Sequence, residues 1–123
     1  MHLLFIYNSL KTGAVAHGLL EGAFKVGWAA LPKHALYICG KTPVATENPI
    51  YTVYGELWVV NPAQLVVVDQ FVGATDLFSE WIRTFVTVDP LNTIFRSRDS
   101  FMVEAYIFRG DISGAQLRRS GVY

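Results

Sequence analysis

Cysteine, charge and long apolar runs are all scarce in this chain. A single cysteine, Cys39, rules out an internal disulfide framework. Charged residues fill 16% of the 123 positions, and ten basic side chains balance ten acidic ones. So neutral a chain has no field to draw in nucleic acid or anionic lipid, and neither is an expected partner. Every apolar stretch is broken by charge or glycine before membrane-spanning length, so no membrane association is expected. No basic segment precedes LLFIY, and no small-residue cleavage site follows it closely. With the lone cysteine, this makes a reducing cytoplasm the expected setting. Histidines are few and scattered. His2, His17 and His34 form no His-x-x-x-His pair, so each is expected on the surface or in a hydrogen bond. Neither a metal nor a cofactor is expected. Phosphate loops, dinucleotide fingerprints and serine-hydrolase elbows are missing too; the glycines of GLLEGAFKVG have the wrong spacing.

What the chain has in quantity is apolar side chains, at 52%, enough for a sizeable core in a single domain spanning residues 1–123. That apolar content also makes self-association, as a homo-oligomer, conceivable. Apolar and β-branched runs recur between turn residues. HLLFIYN, GAFKVGWAAL, HALYICG, YTVYGELWVV, WIRTFVTV and FMVEAYIF predict about six strands, the second and third separated by Pro32. In the fourth, Val53, Leu57 and Val59 alternate with Tyr54, Glu56 and Trp58. NPAQLVVVDQFVG predicts the main helix. Its three valines favour a strand, but Asn61 suits the cap, Pro62 the first turn and Gly73 the stop. Leu65, Val68, Phe71 and Val72 then share one stripe. AVAHGLLEGA is read as a second short helix, and DISGAQLRRSGVY as holding one more helical turn. The expected fold class is α+β: a small mixed, strongly curved or barrel-like sheet with one main helix.

The stretch LLFIYNSLKTG holds the main chemical lead. An apolar strand stops at Tyr7 in a turn of small and polar residues. Such a turn can converge several backbone N–H groups into a cradle for carboxylate or phosphate oxygens. It can equally be an ordinary strand-to-loop connection, and both readings stand at this point. Cys39, within the strand-like ALYICG, is expected to be a buried structural thiol, since no basic group is placed to ionise it. Trp28, Trp58 and Trp81 either line a cavity or fill a small barrel. Arg96 and Arg98, in RSRDSF, read as a charged loop.

The succession of motifs resembles the γ-glutamylcyclotransferase-like (AIG2-like) superfamily. FIYNSLKTG corresponds to a strand leading into Tyr-Gly-Ser/Thr-Leu-Lys, and HALYICGKTPVA to a Leu-Tyr…Pro segment. VYGELWVV corresponds to Val-x-Gly-Glu-Leu-Tyr-x-Val, and LVVVDQFVG to a helix ending in Leu-Asp-x-x-Glu-Gly. LFSEWIR follows in place of Leu-Tyr-x-Arg, and VEAYIF closes the pattern. Order and spacing agree from about residue 3 to residue 108. The resemblance implies a ligand site at Tyr7, Asn8, Ser9 and Leu10, beside Val72. There the turn would hold the α-carboxylate end of a γ-glutamyl amine. In the family a glutamate relays a proton while the substrate's α-amine attacks its side-chain amide, giving 5-oxoproline. One carboxylate within reach can serve both the attacking and the leaving nitrogen.

The sequence departs from that pattern at the expected site. Asn8 stands where the family has glycine, and Val72, which cannot carry a proton, stands at the general-base position. Leu77-Phe78-Ser79-Glu80 replaces Leu-Tyr-x-Arg. Two outcomes fit: a retained binding or interaction module, or an altered enzyme whose relay comes from another carboxylate. The candidates are Glu80, otherwise an exposed residue where a strand starts, and Glu104. Glu104 shares a strand face with Met102 and Tyr106 and matters only if that face borders a pocket. Asp76 reads as a solvated turn residue, and Glu56 as structural, hydrogen-bonded across strands.

Overall fold

The structure is a computed structural model that describes residues 1–8, 10–14, 16–75, 78–94 and 99–123. Ser9, an expected ligand-binding residue, lies outside the described residues, as do Asp76, Leu77, Arg96 and Arg98. Among the described residues the fold has six strands, β1 (His2–Ile6), β2 (Phe24–Cys39), β3 (Thr42–Val60), β4 (Trp81–Thr93), β5 (Phe101–Phe108) and β6 (Gln116–Arg118), and one α-helix, α1 (Pro62–Val72). The strands lie in the order β3-β1-β5-β4-β2-β6, and β2 also pairs with β3. That last pairing closes five strands into a barrel and leaves β6 as an addition on β2, so the expected curved sheet is a closed one. Among the described residues only β1 and β5 run parallel; the other pairings are antiparallel.

Two apolar layers hold it together. The barrel interior is filled by side chains such as Phe5, Leu31, Leu57, Val88 and Ile107. A second layer lies between the outside of β3-β1-β5 and α1: Leu4, Ile6, Trp58, Val60 and Tyr106 meet Leu65 and Val68. Each buried side chain of this size contributes about 1.5–3 kcal/mol. β1 is therefore covered on both faces, which is why LLFIY is an unbroken apolar run rather than an alternating one. The helix forms against its three valines because its start is built for one. The Asn61 side chain accepts the Gln64 N–H at 2.7 Å, and the Gln64 side chain accepts the Asn61 N–H at 2.8 Å. Pro62 opens the helix, and Gly73 ends it in the left-handed conformation at φ 88°.

Several element boundaries differ from the sequence expectation. Pro32 does not separate two strands. β2 runs through it with a bulge between Pro32 and His34, and Lys33 there adopts φ 60°. Pro32 pairs with Thr52 and His34 with Glu47, so residues 48–51 stand opposite the bulge, out of register. Pro49 consequently needs no ladder bond, and β3 begins at Thr42, not near Tyr51. β4 likewise continues to Thr93, pairing first with β5 and then with β2. At that second pairing Gly27 has φ 149°, and a Cβ on it would lie 2.0 Å from the Asn92 carbonyl oxygen. Only glycine lets the two strands approach so closely there. The expected helix over AVAHGLLEGA is a single 3-10 turn, His17–Leu20, and the expected turn in the tail is the strand β6. Cys39 is half-buried rather than buried, because it ends β2 next to the hairpin turn. Among the described residues no helix is long and apolar enough to cross a membrane.

Candidate functional site

Five chain segments come together: the end of β1, the end of α1, the β2–β3 hairpin, the start of β4 and Tyr123. Between them lies a cavity of about 340 Å³, lined by Asn8, Lys41, Thr42, Pro43, Phe71, Val72, Trp81 and Tyr123. That volume is in the range of small-molecule sites. Two of the expected site residues, Asn8 and Val72, thus meet in one wall although 63 residues separate them in the chain. Val72 comes from the last position of α1, beside Phe71, which also lines the cavity.

The turn after Tyr7 is organised by its own atoms. The Asn8 side-chain oxygen accepts the Leu10 N–H at 3.0 Å, an Asx turn, and the Asn8 carbonyl accepts the Lys11 N–H at 3.1 Å. Glu56 Oε1 accepts the Thr12 N–H at 2.7 Å. These three amides are committed inside the protein, so they do not form a free cradle. Among the described residues Lys33 is the one non-glycine with positive φ. Asn8 therefore occupies the family's glycine position without the left-handed strain that glycine relieves.

Tyr7 and Leu10 do not line the cavity. Tyr7 is a core residue: its hydroxyl donates to the Tyr106 carbonyl at 2.6 Å and accepts the Ala45 N–H at 3.2 Å. Burial raises its pKa well above the usual tyrosine range, with the Ala45 bond a smaller opposing effect, so the phenol stays neutral. Leu10 is fully buried in the layer beneath α1.

Among the described residues no carboxylate side chain lines this cavity. Glu104 is buried, 8% exposed, but beneath the helix and not at the cavity. It pairs with His2 Nδ1 at 2.6 Å and with Arg83, whose Nε donates to Asp69 on α1 at 3.0 Å. The Tyr106 hydroxyl also donates to Asp69, at 2.5 Å. Glu104, Arg83, Asp69 and Tyr106 thus tie β5, β4 and the helix together. At Glu104 the strand face carries a polar network under α1, while Met102 on the same face is exposed. Glu80 lines a separate recess of about 390 Å³ with Asp69, Arg83 and Arg109, beyond Trp81. Glu56 is structural, as its place in the motif implies. Besides Thr12 it accepts from Lys25 Nζ at 2.9 Å and Trp58 Nε1 at 3.2 Å. Burial alone would raise its pKa, yet the bonds from Lys25, Thr12 and Trp58 outweigh that and hold it below the usual carboxylate value. No group of three or more His, Cys, Asp or Glu side chains is placed to hold a metal ion among the described residues.

The sequence reading did not foresee Lys41, Thr42, Phe71 or Tyr123 in the cavity wall. Of the three tryptophans, Trp81 lines it; Trp58 packs edge-on to His17 with ring centroids 5.2 Å apart, and Trp28 lies partly exposed beside Lys25. Trp81 and Arg83 also repeat the aromatic-x-Arg spacing three residues beyond the expected position. Phe78 is 92% exposed, whereas Trp81 reaches the cavity and Arg83 bonds Asp69. An aromatic and an arginine two apart, at the start of a strand, carried that signal.

Comparison with known proteins gives the family and the fold. The model of the family "Gamma-glutamyl cyclotransferase, AIG2-like" matches residues 4–123. Among curated proteins no sequence relative matches. An AIG2-like protein from Mus musculus superposes with a TM-score of 0.84 at 22% identity, covering 100% of this chain and 88% of that one. An uncharacterised protein from Pyrococcus horikoshii gives 0.73 at 16%, covering 99% and 89%. A gamma-glutamyl cyclotransferase gives 0.68 at 18%, covering 87% and 66%. These likenesses establish the fold.

Proposed function

Since the chain belongs to the gamma-glutamyl cyclotransferase, AIG2-like family, we propose that its cavity binds a small carboxylate- or amide-bearing molecule, with cyclotransferase activity lost or altered. One observation carries this reading. At the end of α1 an aliphatic Val72 lines the cavity where the family relation calls for the proton-carrying glutamate, and no described lining side chain is a carboxylate. General acid–base help is worth about 10² to 10⁴ in rate, and nothing in the described wall replaces it. The cavity itself supports ligand binding: Asn8, Lys41, Thr42 and Tyr123 bring polar groups to a wall otherwise built from Pro43, Phe71, Val72 and Trp81. The test is incubation with γ-glutamyl amines and γ-glutamyl dipeptides while 5-oxoproline is followed by chromatography. The expected result is little or no product, alongside ligand-induced rise of the melting temperature. Turnover at ordinary enzymatic rates would refute the reading.

A second reading is favoured by a different feature. Phe85 and Met102, 64% and 63% exposed, lie on one outward face of the β4–β5 pair, where Phe85 is opposite Glu104 and Met102 opposite Thr87. On that reading the fold serves as an interaction or self-association module with a vestigial pocket. Sedimentation of the protein at several concentrations separates the two: a monomer that binds small ligands supports the first.

A further inference from the structure

We propose that a split in the barrel wall between β2 and β4 is a docking site for an extended, acidic segment of a partner protein, which adds as a strand to the free edge of β4. The two strands pair only where residues 27–30 of β2 meet residues 89–93 of β4. In the same register the ladder would next bring Leu31 to Val88 and Pro32 to Thr87, but it stops. Pro32 has no N–H to give, and its carbonyl accepts the His34 Nδ1–H at 3.0 Å. The bulge at Lys33 turns β2 aside, and its next partner on this edge, β6, begins only at Leu36. Among the described residues, β4 over 84–88 therefore pairs with β5 on one edge and with no strand on the other. Such an edge holds N–H and C=O groups that only water or another strand can pair.

The side chains around the gap fit an added strand. A cavity of about 480 Å³ opens there. Val86 and Ile107, which belong to the barrel interior, line it together with Phe85 and Thr87, which are exposed on the outside. An intact wall would keep these two sets on opposite sides, so the cavity passes through the wall. A strand laid along β4 would set alternate side chains towards the apolar interior and towards the outside, with main-chain bonds giving affinity and side-chain pockets giving specificity. Lys33 and Arg109 also line the cavity, both exposed and without an ion-pair partner among the described residues, against one acidic lining residue, Glu47. The excess of positive charge favours carboxylates on the occupant. The same edge of a second copy is itself flanked by β2, so the fitting occupant is a single unpaired segment. The split shares no described lining residue with the cavity beside Asn8, and either site stands if the other fails.

The experiment titrates the protein with the capped hexapeptide acetyl-Val-Glu-Val-Glu-Val-Thr-amide, followed by calorimetry and by amide hydrogen exchange in NMR spectra. Amides of residues 84–88 that face the split should exchange fast in the free protein and slow at least about tenfold when the peptide binds. A peptide with lysine in place of both glutamates should bind at least about tenfold more weakly. N-methylation of one set of alternate peptide amides should cost a similar factor, and methylation of the other set little, because one edge of the peptide meets β4. Arg109→Glu or, should that variant not fold, Lys33→Glu should turn the preference towards the lysine peptide, which loss of structure alone does not do. No binding at millimolar peptide, binding without protection of residues 84–88, or binding indifferent to both methylation patterns overturns the inference. So does protection of residues 84–88 that rises with protein concentration alone, which would assign the edge to a second copy.

Discussion

Glu56 accepts the backbone N–H of Thr12 at 2.7 Å, so a buried carboxylate in the middle of β3 anchors the loop that follows β1. With Lys25 and Trp58 on the same carboxylate, the Gly-Glu motif holds the wall and the loop beside the cavity in one arrangement. Gly55 serves the same contact from the backbone side, since a Cβ there would lie 2.6 Å from the Ile6 carbonyl oxygen.

This relationship makes stability depend on pH in a definite direction. The folded protein holds the Glu56 pKa below its ordinary 4.5, burial being outweighed by its hydrogen bonds. The folded state then binds this proton less readily than the unfolded chain. Stability from Glu56 is complete above the ordinary value and is lost as pH falls through the lower folded value. Glu56→Gln should cost about 2 kcal/mol in urea unfolding at pH 7. The gap to the unaltered protein should narrow at about pH 3. A gap that is constant or wider in acid would exclude this role.

Tyr7→Phe isolates a second structural bond. The lost hydroxyl leaves the Tyr106 carbonyl and the Ala45 N–H without their partner inside the barrel. The expected loss is about 1–3 kcal/mol of stability, the cost of unsatisfied buried polar groups. Ligand affinity should not change, because the Tyr7 ring does not line the cavity. Thermal unfolding and calorimetric titration read the two quantities separately; an affinity loss without a stability loss would contradict the placement of Tyr7.

Val72→Glu tests the lost proton relay directly. The new carboxylate would stand at the last helical position, beside the negative end of the helix dipole, which raises its pKa towards that of a useful base. It would also supply the anion that an α-ammonium needs. Formation of 5-oxoproline from a γ-glutamyl amine is expected to rise at least about 10²-fold, for a stability cost of about 0.5–1 kcal/mol. Unchanged product formation in a folded variant would count against the family geometry at this end of α1.

The residue pattern by itself determined the main helix, the strand-rich class and the pairing of Asn8 with Val72 through the family's motif order. Caps and turn chemistry act over a few residues, so Asn61, Pro62 and Gly73 outweighed three valines in plain view. What tertiary structure decided lies at longer range. Pro32 and Pro49 read as breaks because a strand's tolerance for proline depends on which neighbour the N–H would face, and here a bulge removes that neighbour. Glu104 and Glu80 were equivalent candidates on paper. The packing of α1 over β5 gave one an arginine partner, and Trp81 set the other in a different recess. Lys41 and Tyr123 had no local signal at all. They reach the cavity because barrel closure brings the β2–β3 hairpin and the last residue of the chain against the end of the helix, a proximity that no spacing along the chain encodes.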